Sequence, residues 1–82
     1  MRKIHGLAQA FGDTIAELRS SKGVSQEQLA ESIDATNVYI CLLERGQRQP
    51  SLNAALLIAE SLGISPEELI QKVCRNLHNK PE

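Results

Sequence analysis

Apolar positions in this chain recur at steps of three and four, never in the alternation of a strand. Leu7, Phe11, Ile15 and Leu18 form the stripe of a first amphipathic helix. Leu29, Ala30 and Ile33 mark a short second helix, and Ile40 and Leu43 the buried side of a third. A fourth helix is expected to bury Leu52, Ala55, Leu56, Ala59 and Leu62, and a fifth to present Leu69, Val73 and Leu77. No segment is repeated or low in complexity.

The polar residues between these stripes are helix punctuation. Gly23, Gly46 and Gly63 each follow an apolar segment, where a left-handed residue ends a helix. Ser25 with Gln28 spells a capping box, and Val24 with Leu29 a hydrophobic staple around it. Ser65-Pro66-Glu67-Glu68 repeats the device between Ile64 and Leu69, with proline at the first helical position. Thr36 and Ser51 cap the third and fourth helices. These marks predict an all-α fold: one compact domain of five helices over residues 1–82, with its core from about 7 to 77. Met1–Gly6 is expected to be loose, and the polar tail after Leu77 to be frayed.

Composition narrows the chemistry. With 82 residues, 41% of them hydrophobic but only one Phe and one Tyr, the core must be aliphatic and small. A net charge of −1 excludes attachment to nucleic acid by bulk charge, so any such contact needs a local patch. Cys41 and Cys74 are too few for a disulfide scaffold and read as free thiols. No secretory segment and no apolar run of membrane-spanning length occurs, which points to the cytoplasm. His5 and His78 have no partners at metal-ligand spacing, and no nucleophile motif or phosphate loop is present. No metal, cofactor, small-molecule ligand or catalysis is therefore expected.

Only about three residues, around Ile33-Asp34-Ala35, separate the second and third helices, the connection of a helix-turn-helix over about residues 25–45. A helix that reads DNA must expose its first turn to the major groove, which here means Thr36, Asn37 and Val38. Asn37 can pair bidentately with adenine, Val38 can touch only a thymine methyl, and Thr36 can cap its helix or bond a phosphate. Tyr39, beside the buried Ile40, can pack its ring or reach a phosphate with its hydroxyl. Cys41 and Leu42 turn partly outward, as methyl contacts, partner contacts or plain filler.

The order of these residues resembles the phage Cro and lambda repressor family, also called the xenobiotic response element family. Ser25-Gln26-Glu27-Gln28-Leu29-Ala30, Ile40, Leu43-Glu44-Arg45-Gly46, Pro50-Ser51, Ala59-Glu60-Ser61-Leu62-Gly63-Ile64 and Leu69 carry the likeness, from about Phe11 to Ile70. The short chain and Tyr39 resemble, more narrowly, the controller proteins of restriction-modification systems. The resemblance implies that Gln26 touches the DNA backbone and that the loop with Arg45, Gln47 and Arg48 follows the phosphates. It also implies an Arg19–Glu44 ion pair that aims the third helix, and a last helix that dimerises through Ile70, Val73, Cys74 and Leu77.

The expected protein is thus a bacterial or phage transcriptional regulator, such as a repressor. It binds palindromic double-stranded DNA as a homodimer, contacting it through Gln26, Thr36, Asn37, Val38, Tyr39, Leu42, Arg45 and Arg48. The alternative from another class is a protein-interaction module, antitoxin-like or scaffold, docking through the apolar Val38, Cys41 and Leu42.

Overall fold

A computed structural model describes residues 1–79. It comprises α1 (Leu7–Ser21), α2 (Gln26–Ser32), α3 (Asn37–Glu44), α4 (Leu52–Ser61) and α5 (Pro66–Asn79). Helix starts follow the expected hydroxyls. Ser25 Oγ accepts from the Gln28 N–H while the Gln28 side chain accepts from the Ser25 N–H, closing the capping box. Thr36 Oγ1 accepts from the Tyr39 N–H at 3.1 Å, Ser51 Oγ from that of Ala54 at 3.0 Å, and Ser65 Oγ from that of Glu68 at 3.0 Å. Gly23, Gly46 and Gly63 take positive φ after their helices, and Asp34 does the same work after α2 at φ 59°.

Helix α1 is the hub, packed against α3 on one side and α5 on the other, while α2 packs on α3 and α4. Phe11, Ile15, Leu29, Ile40, Leu43, Ile58, Leu62, Leu69 and Val73 meet in one aliphatic core. Thr14, the buried polar side chain among them, donates to the Ala10 carbonyl and accepts from Asn76 Nδ2, both at 2.7 Å, so α1 and α5 share a satisfied polar contact.

Three expectations change. Leu52 and Leu56 are 76% and 44% exposed, and α4 buries Ala54, Ala55, Ile58 and Ala59 instead. This helix is apolar nearly all round, and its small alanines let neighbouring helices approach while the leucines turn outward. Val73 is 3% exposed and belongs to the core, so of the four α5 residues expected at a dimer face only Ile70 and Cys74 are fully outward; Leu77 packs partly on the core. Finally, α5 continues through His78 and Asn79, because no helix breaker precedes them. The remainder of the expected frayed tail lies outside the described residues.

Candidate nucleic-acid interface

The connection between α2 and α3 runs from Ile33 to Thr36, with Asp34 in the left-handed region where the chain reverses. Turning about 100° per residue, α3 points Ile40 and Leu43 inward and Val38 and Arg45 outward, with Cys41 and Leu42 flanking. Burial agrees: Ile40 and Leu43 are fully covered, Val38 is 68% exposed, Asn37 and Arg45 are exposed, and Cys41 and Leu42 are half-buried. Thr36 spends one oxygen lone pair on the cap and remains exposed, so its hydroxyl can still donate outward.

A polar joint holds this helix in place from behind. Arg19 Nε donates to Glu44 Oε2 at 2.7 Å, Nη2 to Oε1 at 3.2 Å, and Nη1 to the Val24 carbonyl at 2.8 Å. The Glu44 side chain is 8% exposed and that of Arg19 18%. The bidentate fork is the strong form of this pairing. The hydrogen bond to Glu44 raises the Arg19 pKa above its ordinary value; burial opposes the rise and the Glu44 charge adds to it.

Gln26 completes the joint. Its Nε2 donates to Glu44 Oε1 at 2.9 Å, so one of its two amide N–H donors is committed inside the protein. The sequence places Gln26 at a helix start but cannot show this third member of the ion pair.

Gly12, which the pattern of the sequence does not single out, fixes the spacing of α1 and α3. A Cβ there would overlap the Leu43 carbonyl oxygen and stand 2.9 Å from that of Glu44. The backbones touch where α3 ends. A glycine within an otherwise helical stripe was the available signal.

After α3, Arg48 stacks over the Tyr39 ring with its guanidinium carbon 5.7 Å from the centroid. The ring packs against the core while both arginines of the loop remain exposed. Across a shallow cleft from Gly46–Gln49 lies the N-terminal segment with Lys3. Asn37, Val38, Arg45 and Arg48 are all exposed, the first two on the leading turn of α3 and the arginines at its end and in the loop after it. Ile70 and Cys74 lie on α5, outside this surface. Among the described residues no group of three or more His, Cys, Asp and Glu is placed to hold a metal ion, and no helix is long and apolar enough to cross a membrane.

The helix-turn-helix family model matches residues 15–69, from the middle of α1 into α5. The chain belongs to the Cro and lambda repressor-like helix-turn-helix family. Its members are DNA-binding transcriptional regulators, and this chain is one of them. It is 39% identical over 61 residues to the control protein C.BamHI of Bacillus amyloliquefaciens, covering 73% of this chain and 75% of that protein. The restriction-modification controller protein C.AhdI from Aeromonas hydrophila superposes with a TM-score of 0.73 at 44% identity, over 76% of this chain and 94% of C.AhdI. The controller protein C.Esp1396I, solved as a tetramer in complex with its natural 35-base-pair operator, gives a TM-score of 0.80 at 25% identity, over 89% of this chain and 96% of that one.

Proposed function

We propose that this helix-turn-helix protein acts as a restriction-modification controller, binding a short palindromic operator as a homodimer with α3 in the major groove. The observation that carries the reading is the exposed first turn of α3, where Asn37 and Val38 face solvent, with Arg45 and Arg48 exposed at and after the end of the helix, which Arg19, Gln26 and Glu44 clamp. A rigid helix with a free leading turn and cations beside it suits base readout with phosphate anchoring. Its resemblance to C.BamHI and C.AhdI supports the controller role.

Dimerisation is supported by a second surface. Leu52, Leu56 and Ile70 are outward-facing apolar side chains that line one groove between α4 and α5, together with Pro66. Such a contiguous patch on a small chain marks a contact face, and a two-fold partner there would set two α3 helices for half-sites about one DNA turn apart.

Selection from a random duplex library at two salt concentrations, with wild type and Asn37→Ala, tests the reading. The expected result is a palindrome whose information is lost at one symmetric position in Asn37→Ala. Recovery of no sequence at low salt overturns it in favour of a protein-docking role for the outer face of α3.

A further inference from the structure

We infer that Cys74 and His78 of α5 are half of a metal site: with the same pair from a second copy they hold one divalent cation of the zinc class between two chains. This rests on the dimer reading above. Cys74 and His78 stand four residues apart on α5, and both are exposed. The expectation that His78 has no partner at metal-ligand spacing does not hold, because four residues make one turn of a helix. Cβ atoms so spaced lie about 5–6 Å apart on one face, which lets a thiolate at about 2.3 Å and an imidazole nitrogen at about 2.1 Å share one ion. The Cys74 thiol is free, and on binding it releases its proton to solvent while the imidazole coordinates in its neutral form.

One chain cannot finish the coordination. A structural zinc takes four ligands, and among the described residues no third His, Cys, Asp or Glu is placed to join this pair. Two-fold symmetry supplies the rest, since a contact of α5 with its own copy presents Cys74 and His78 twice. Ile70 points to such a contact. It lies one turn before Cys74, so Ile70, Cys74 and His78 form one stripe that drifts only about 40° per step. Ile70 is 50% exposed and lines the apolar groove with Leu52 and Leu56, which sets the pair at the margin of the surface proposed for dimerisation. Arg75, the adjacent cation, projects about 100° round the helix from Cys74. Two thiolates and two imidazoles are a ligand set that suits zinc and not the harder magnesium or calcium.

The test titrates the untagged, reduced full chain with cobalt(II), a spectroscopic stand-in for zinc, and follows absorption and sedimentation equilibrium together. Thiolate-to-cobalt charge-transfer absorption should saturate at one ion per two chains, and the dimer dissociation constant should fall about tenfold or more. Cys74→Ser should abolish the charge-transfer band, and His78→Ala should weaken cobalt binding about tenfold or more. Both side chains are exposed, so circular dichroism should show unchanged helical content in each variant. Cobalt bound without thiolate absorption, or at one ion per chain, overturns the inference. A chain that dimerises without metal and ignores cobalt overturns the metal site alone. One that stays monomeric with and without cobalt overturns the dimer reading beneath it as well.

Discussion

Arg19 and Glu44, 25 residues apart in sequence, tie the end of α1 to the end of α3 through two hydrogen bonds, the shorter from Nε to Oε2 at 2.7 Å. Because Gln26 Nε2 and the Val24 carbonyl join the same cluster, the pair joins three helices. Removing the carboxylate therefore leaves three donor nitrogens, two of Arg19 and one of Gln26, without their acceptor. Glu44→Ala should cost about 2–3 kcal/mol of stability, since a part-buried charge loses its partner. For a domain of this size that lowers the melting temperature by roughly 10–20 °C. Glu44→Gln keeps an acceptor oxygen and should lose less. Thermal melts check both, and a double-mutant cycle with Arg19→Ala should return a favourable coupling.

The pH dependence of that joint follows from Arg19. Its pKa is raised in the folded protein by the hydrogen bond to Glu44 above all, so the stabilisation is complete below the ordinary guanidinium range and is lost only as pH climbs through the higher folded value. The difference in stability between wild type and Arg19→Ala should stay flat, as far as Arg19 is concerned, between about pH 7 and about pH 9. A denaturant titration at each pH measures it.

Gly12 predicts a sharper failure. An added methyl meets backbone on α3, where no rotamer change can relieve it, and α1 must move away from the helix that it positions. Gly12→Ala should destabilise by about 3 kcal/mol or more, despite the better helix propensity of alanine. Gly23→Ala makes a useful contrast. No atom lies within 4 Å of a Cβ there, so its loss comes from the positive φ of 68° alone and should be near 1 kcal/mol. Urea unfolding of the two variants separates crowding from backbone strain.

How much of this was legible in the sequence depends on whether a residue acts locally. The caps at Ser25, Thr36, Ser51 and Ser65 each bond the residue three positions on, and their spacing alone announced them. The stripes of α1 and α5 were legible because polar residues border them. Helix α4 was not, since "LNAALLIAES" offers two apolar faces and periodicity cannot say which one the core takes. The face left outside, Leu52 with Leu56, is the surface that the sequence assigned to the interior. Gly12 and the Gln26–Glu44 bond were hidden for the opposite reason: both depend on contacts between helices distant in sequence. At the candidate interface the identities of Asn37 and Val38 were readable from helix phase, whereas the restraint behind them was readable only through the family likeness.

Ile70, which lines the same groove as the two outward leucines, sets up a separation between assembly and folding. Ile70 is 50% exposed and Val73 3%, three residues away on the same helix. Ile70→Asp should yield a folded monomer, because the charge enters solvent in the single chain but would be buried in a pair. Val73→Ala should instead lower stability by about 2 kcal/mol through lost methyl burial and a cavity. Sedimentation equilibrium and thermal melts on both variants decide it; an Ile70→Asp chain that still dimerises would place the contact elsewhere.

Arg48 is held over Tyr39, which packs on the core beside Ile40, so a loop cation is braced by α3, the helix proposed to read bases. Stacking is worth about 0.5–1 kcal/mol at an exposed site and limits the arc that the guanidinium can sweep. If its task is to meet a phosphate, Arg48→Ala should weaken binding to all duplexes alike and leave the selected sequence unchanged. The salt dependence then falls by about 0.9 per lost phosphate contact, close to two for a dimer. Tyr39→Leu keeps the charge and most of the packing but removes the brace. It should leave the salt slope near the wild-type value while weakening affinity several-fold, because a freer arginine loses more motion on binding. Binding isotherms across a salt series distinguish the two effects; equal slopes for wild type and Arg48→Ala would remove Arg48 from the phosphate contacts.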